Sequence, residues 1–233
     1  MSFDMKKLWM VGVAGAGCLA GSLQAKDVEI RAITVFQNQP PAEVYVHQEG
    51  STSPGTALSV KRYLNRESTT LDLKTGKLIL TTEASAKSVN DEAKCLGKIE
   101  VPGKVSRGIL VFVPAEGDQP ATAHLVDDSA KAFPSGSFLV LNLTPMTVRV
   151  ELEGKDFECS GNAQTPIKDP PVDERSASAM RAFYREQEGD EWIQVSSGRW
   201  PHPGKKRVLQ VVMRDPQSKS VQLRGVTDVV EVD

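Results

Sequence analysis

The chain reads as two versions of one pattern set about 100 residues apart, and this echo limits the architectures open to it. At an offset of 104, Asn38, Pro41, Val44 and Val46 fall on Asn142, Pro145, Val148 and Val150. At an offset of 100, without a gap, Ile109, Val111, Val113, Val126 and Asp128 meet Leu209, Val211, Met213, Val226 and Asp228. So long a period points to a duplicated small domain rather than a solenoid of short repeats. The matched positions are apolar alternations and turn residues. They speak to architecture and leave the activity open.

The apolar runs are short, β-branched and bounded by turn residues, which is the signature of strands. Residues 58–64 alternate with period two, placing Leu58, Val60 and Leu64 on one face and Lys61 on the other. Runs at 69–73 and 78–82 flank Lys74-Thr75-Gly76, predicted as a hairpin turn because Gly takes positive φ without strain. Asp215-Pro216-Gln217-Ser218 is a turn signal near the end, since Pro presets φ and Asp bonds its own backbone. Residues 83–94 read as a loop or one helical turn, and 173–185 as a loop entering a strand. Strands at this spacing predict an all-β chain: two tandem immunoglobulin-like antiparallel β-sandwich domains, each of about 100 residues. The domains are placed at 26–128 and 137–233, joined by a polar, turn-rich linker at 129–136.

Residues 1–25 have the order of a secretory signal: Lys6 and Lys7, an apolar stretch over 8–20, then small residues up to Ala25. The apolar stretch is shorter than the ~20 residues of a spanning helix, and no later segment is long or apolar enough to be one. Export to the periplasm or beyond is therefore expected, with lipidation at Cys18 as the alternative. Past the leader the chain is mildly acidic, because Lys6, Lys7 and Asp4 are taken from totals of 28 basic and 30 acidic residues. The basic clusters Lys61-Arg62 and Lys205-Lys206-Arg207 lack an aromatic ladder, so a nucleic-acid partner is not expected. Cys95 and Cys159 remain, and an oxidising compartment permits one disulfide joining the two halves, with two free thiols as the alternative.

No zinc signature, nucleophile elbow, phosphate loop or dinucleotide fingerprint is present, and no cofactor is expected. The best polar constellation is His124, Asp127 and Asp128 beside Ser129. These are competent metal ligands, although carboxylates at a strand end also suit a turn in which they accept backbone N–H groups. His47 and His202 stand alone in sequence and read as surface histidines. The aromatic residues Tyr184, Trp192 and Trp200 offer a second constellation. Trp192 begins a strand and reads as core, whereas Trp200, before Pro201, reads as a loop residue. Trp200 and Tyr184 are therefore the candidates for stacking against a sugar.

Leu125-Val126-Asp127-Asp128-Ser129, then Phe133-Pro134-Ser135-Gly136-Ser137-Phe138, then Asn142-Leu143-Thr144-Pro145 with Val148-Arg149-Val150, resembles a family of uncharacterised exported bacterial β-sandwich proteins. The closing Arg207-Val208-Leu209 and Val226-Thr227-Asp228 are similar as well, so the likeness covers most of 109–228. It implies a sandwich fold with a Phe-Pro-x-Gly turn and an Asn-Leu-Thr-Pro corner, and carries no reaction or catalytic residue. The expected function is a non-catalytic interaction or structural module of the cell envelope, with an envelope protein as partner. A glycan- or peptidoglycan-binding accessory module is the alternative, and a metal-assisted hydrolase at His124, Asp127 and Asp128 the third.

Overall fold

The computed structural model describes residues 26–35, 43–113 and 121–228. The leader with Cys18, and Asn38 and Pro41 of the first echo, lie outside the described residues. Within them the chain is all-β, and no helix is long and apolar enough to cross a membrane. The first half contributes β1 (Lys26–Thr34), β2 (Val44–Gln48), β3 (Thr56–Leu58), β4 (Val60–Lys61), β5 (Thr69–Leu73), β6 (Lys77–Thr81), β7 (Cys95–Glu100), β8 (Arg107–Val113) and β9 (Thr122–Asp127). The second contributes β10 (Phe138–Asn142), β11 (Thr147–Leu152), β12 (Lys155–Cys159), β13 (Ala163–Ile167), β14 (Ala177–Arg185), β15 (Ile193–Pro201), β16 (Arg207–Arg214) and β17 (Val221–Asp228).

Four sheets result. Sheet I is β3-β2-β6-β7. Sheet II is β4-β1-β8-β9 with β5 also on β1. Sheet III is β13-β10-β16-β17, and sheet IV is β12-β11-β14-β15. With β5 taken as the counterpart of β13, the strand order of sheets I and II is reproduced in sheets IV and III. The duplication thus extends to topology. Arg31 pairs with Ile109 across β1 and β8, and Leu139 pairs with Leu209 across β10 and β16. With Ile109 and Leu209 equivalent at the offset of 100, Arg31 and Leu139 hold matching places, not Val35 and Leu139 as the first echo aligned them.

Strand alternation decides how the sheets stack. Ile30, Ala32, Leu110 and Phe112 of sheet II face Val44, Val46, Leu78 and Leu80 of sheet I. Ile33, Ile109, Val111 and Val126, on the other face of sheet II, meet Leu139, Leu141, Leu209 and Val211 of sheet III. Val140 and Val212, on the far face of sheet III, pack on Val148, Val150 and Met180 of sheet IV. The layers run I, II, III, IV, with three apolar cores between them. Sheets II and III are covered on both faces, which is why β8 and β10 are continuously apolar rather than alternating. Burying each such side chain contributes roughly 1.5–3 kcal/mol.

Several expectations are corrected here. The sheets are not purely antiparallel, because β1 runs parallel to β8 and β10 parallel to β16. The 58–64 run is not one strand. Leu58 ends β3 in sheet I, Val60 begins β4 in sheet II, and Leu64 reaches the core between the halves. The Lys74–Gly76 turn closes no hairpin. It carries the chain from β5 in sheet II to β6 in sheet I, with Gly76 at φ 68°. β13 includes Pro166 and was not foreseen; it lies at a sheet edge, where a missing N–H is tolerated. Residues 83–94 hold one 3-10 turn, Ala86–Asn90, capped by Ser85, and Asp215 accepts the N–H groups of Gln217 and Ser218 as its turn requires.

Cys95 and Cys159 are free thiols. Cys95 lies in sheet I and Cys159 in sheet IV, the two outermost layers. Sheets pack about 10 Å apart, so two intervening layers separate them by roughly 30 Å. A disulfide needs Cα atoms within about 7 Å. Burial pushes the Cys159 thiol up to about 11, leaving it protonated and inert.

Candidate functional site

The residues predicted to gather around a metal do not converge. On β9 the side chains alternate, so His124, Val126 and Asp128 point toward sheet III while Asp127 points the other way. Asp127 accepts the Ser129 N–H at 3.0 Å, as a turn carboxylate does. Among the described residues no group of three or more His, Cys, Asp or Glu side chains is placed to hold a metal ion.

Asp128 belongs to a different arrangement, which sequence reasoning missed. By the same alternation Arg31 on β1, Arg207 on β16 and Asp228 on β17 also face the contact between sheets II and III. There the four form a closed ion cluster, none more than 5 % exposed. Arg31 forks onto Asp128 through Nε and Nη2, at 3.0 and 2.8 Å, and onto Asp228 through Nη1 and Nη2, again at 3.0 and 2.8 Å. Its fifth N–H donates to the Asn65 carbonyl, so every Arg31 donor is used. Arg207 Nη2 donates to Asp128 at 2.7 Å and to Asp228 at 2.6 Å, while Nη1 donates to the carbonyls of Phe133 and Asp128. The Phe133 ring lies 4.6 Å from the Arg207 guanidinium carbon. Burial alone would lower the Arg31 pKa, but the bonds to Asp228 and Asp128 outweigh it and raise it.

The four side chains sum to zero charge, and the exposed Arg107 guanidinium lies 3.9 Å from Asp128 at the edge of the cluster. The Arg207 Nε–H has no hydrogen-bond partner among the described residues. The cluster joins β1 and the end of β9 in one half to β16 and the end of β17 in the other, and its geometry fixes the register of the two halves. The 129–136 segment is accordingly no free linker: Phe133 is buried in the core between the halves. A hollow of about 220 Å³, lined by Glu29, Arg31, Arg66, Arg107 and Asp128 among others, is the solvent approach to this cluster.

His124 sits partly buried beside this contact, and burial holds its imidazole below the ordinary value of 6.5. A depressed histidine favours the neutral form in the folded state, so the unfolded chain binds the proton first as pH falls. Stability contributed by neutral His124 is present above pH 6.5 and lost on acidification toward its lower folded value. Urea midpoints measured between about pH 7.5 and pH 5 should fall less in His124→Gln than in the wild type. Equal slopes in the two proteins would show that His124 does not contribute.

The tryptophans exchange the roles that their sequence neighbours implied. Trp200 is on β15, not in a loop. Its ring faces the core between sheets III and IV and packs on Phe138 with centroids 4.8 Å apart. Trp192 is half-buried on the outer face of sheet IV, with the guanidinium carbons of Arg149 and Arg185 at 4.5 and 4.6 Å from its ring. The inversion follows from register: Trp200 pairs with buried Ser178, so the two share the inward face of the sheet. Tyr184 also packs on the inner core, six residues along β14 from Ser178, roughly 20 Å away. Trp200 and Tyr184 therefore do not form one surface. His47, read as exposed, is buried, with Nε2 2.9 Å from Thr81 Oγ1.

Trp200 does reach a cavity. A cleft of about 630 Å³ opens between sheets III and IV where β15 turns into β16. Phe138, Trp200, Val208 and Gln210 line its interior, Gly225 and Thr227 of β17 one side, and His202, Lys205 and Lys206 its rim. The volume falls within the usual range of small-ligand sites. Gln210 is the unusual member. Val208, Gln210 and Val212 share the inward face of β16, so an amide sits where an apolar side chain is expected. The residue is only 5 % exposed, and its amide makes no hydrogen bond to any described residue. It lies over Gly225, its partner across the sheet, where a Cβ would come within 3.1 Å of its Oε1. This one polar residue inside an apolar strand was the sequence signal for the cleft.

The rim is held rigidly. Ser135 Oγ donates to the Lys205 carbonyl at 2.8 Å, Gly136 N–H to the Lys206 carbonyl at 2.8 Å, and Lys206 N–H to Pro203. The Gly204 N–H donates to His202 Nδ1 at 3.0 Å, so the neutral ring carries its proton on Nε2. The arrangement offers an aromatic wall, an amide that makes no hydrogen bond to a described residue, and cationic groups at the entrance. It supplies no nucleophile–base pair. No known family model matches the chain, and no curated protein does.

Proposed function

We propose that the chain is an exported, non-catalytic binding module of the cell envelope, built of two tandem immunoglobulin-like sandwiches, and that it seats a saccharide ring in the cleft beside Trp200. One observation carries this reading: the Gln210 amide, which makes no hydrogen bond to a described residue, faces a cavity walled by Trp200 and Phe138. A ligand presenting paired hydroxyls can bond both the donor and the acceptor of this amide. Aromatic walls complement the C–H surfaces of a sugar. The order of residues 1–25, basic then apolar then small, supports the location.

The test uses a Trp9→Phe/Trp192→Phe background, which leaves Trp200 as the reporter among the three tryptophans. Titration with cell-wall saccharides should shift its emission to saturation. Gln210→Leu should weaken binding about tenfold, corresponding to one lost hydrogen-bonding group, without loss of fold. An emission unmoved by every saccharide, or unchanged affinity in Gln210→Leu, would overturn the reading.

A second reading, strand addition by an envelope protein, is favoured by β15. This nine-residue strand lies at the edge of sheet IV, and Ile193 is 51 % exposed at its start. A free edge of that length offers a row of main-chain hydrogen-bonding groups to an incoming strand.

A further inference from the structure

The charge of the cleft specifies more than a sugar. Among the described residues lining it are Lys205, Lys206 and His202 and no carboxylate. Elsewhere the protein pairs much of its surface charge: Lys61 with Glu67, Lys77 with Glu49, Lys94 with Glu83, Arg181 with Glu151 and Arg214 with Glu186. Among the described residues neither rim lysine has such a partner, although the chain as a whole carries a net charge of −2. The loop that carries them is fastened by its backbone to the 135–136 segment, so their placement is set before any ligand arrives. His202, with Nδ1 occupied by the Gly204 N–H, adds an Nε2–H donor at the same rim. Three donors, two of them lysine side chains, thus surround the mouth of a cavity whose interior offers an amide and aromatic faces.

We propose that the ligand is an acidic saccharide, a hexuronate unit of a carboxylated polysaccharide. Its ring is held by Trp200 and Gln210, and its carboxylate is received by Lys205, Lys206 and His202. This rests on the saccharide reading of the cleft and adds the identity of the charged group. Aromatic contact and amide bonding are indifferent to charge, so they set the affinity for the ring. The rim then discriminates acidic from neutral sugars, because a carboxylate reaching paired ammoniums makes charge-assisted hydrogen bonds that an ester cannot.

The experiment compares tetragalacturonate with its methyl ester, identical in ring and linkage, by Trp200 fluorescence in the Trp9→Phe/Trp192→Phe background. The acid should bind about tenfold or more tightly than the ester, in keeping with hydrogen bonds to charged groups. That preference should shrink as salt rises from about 0.05 to 0.5 M. In Lys205→Ala/Lys206→Ala, whose side chains are exposed, the preference for acid over ester should disappear. Equal affinity for acid and ester overturns the inference and leaves the saccharide reading in place. Binding of neutral saccharides with no response to either galacturonate does the same. No response to any saccharide removes both.

Discussion

Replacing Asp128 by asparagine is expected to lower the free energy of unfolding by about 3–5 kcal/mol, the usual cost of leaving a buried charge without its partner. The substitution is nearly isosteric, so no cavity contributes. Asp128 Oδ1 receives an N–H from Arg31 and another from Arg207, and Oδ2 receives the Arg31 Nε–H. Whichever way an asparagine amide is turned, its NH₂ meets a guanidinium N–H, and two buried arginines then share one carboxylate. Guanidinium unfolding of Asp128→Asn against wild type measures the loss. Adding Arg31→Met should recover part of it, because neutrality returns with the second substitution, and the double-mutant cycle gives the coupling. A loss below about 1 kcal/mol would show that the cluster is not closed in the folded protein.

Asn142→Ala is the second large effect, expected at about 3 kcal/mol or more. Asn142 is fully buried, and its Nδ2 donates to the carbonyls of Met146, Cys159 and Ser160. Its Oδ1 accepts both the N–H and the hydroxyl of Thr144. One side chain therefore holds the β10–β11 corner against the end of β12. Truncation leaves several buried polar groups unpaired, at about 1–3 kcal/mol each. Thr144→Val, which removes one of these bonds, should cost only about 1 kcal/mol. If the two variants lose equal stability by denaturant unfolding, the hub described here is wrong.

The corner was expected from the family resemblance, and its residues are neighbours in sequence. Asn142, Thr144 and Pro145 announce a local structure, as Asp215-Pro216 does at the β16–β17 turn. The strands of β8, β9, β16 and β17 were legible through the echo. What alternation conveys is which side chains share a face, never what lies across from that face. Arg31, Asp128, Arg207 and Asp228 each sit correctly in their own strand pattern, yet their meeting depends on sheet II lying against sheet III. The Leu58–Leu64 run kept its period while the chain changed sheets between Leu58 and Val60, and periodicity does not register such a crossing. The inversion of Trp192 and Trp200 has the same origin, because pairing with Ser178 rather than distance from Pro201 decides which ring is inward. The cleft left one trace, a glutamine on an apolar strand face.

The stacking of sheet II on sheet III also governs how occupancy of the cleft can be communicated. With both faces of each middle layer packed, and Arg31 bonded to Asp228 and Arg207 to Asp128 across the joint, the described residues hold the two halves at one angle. On the proposed reading, a ligand beside Trp200 would not be relayed as a change of angle to sheet I at the opposite end of the molecule. Any component that senses the filled state must touch the same end and read the ligand and its rim together.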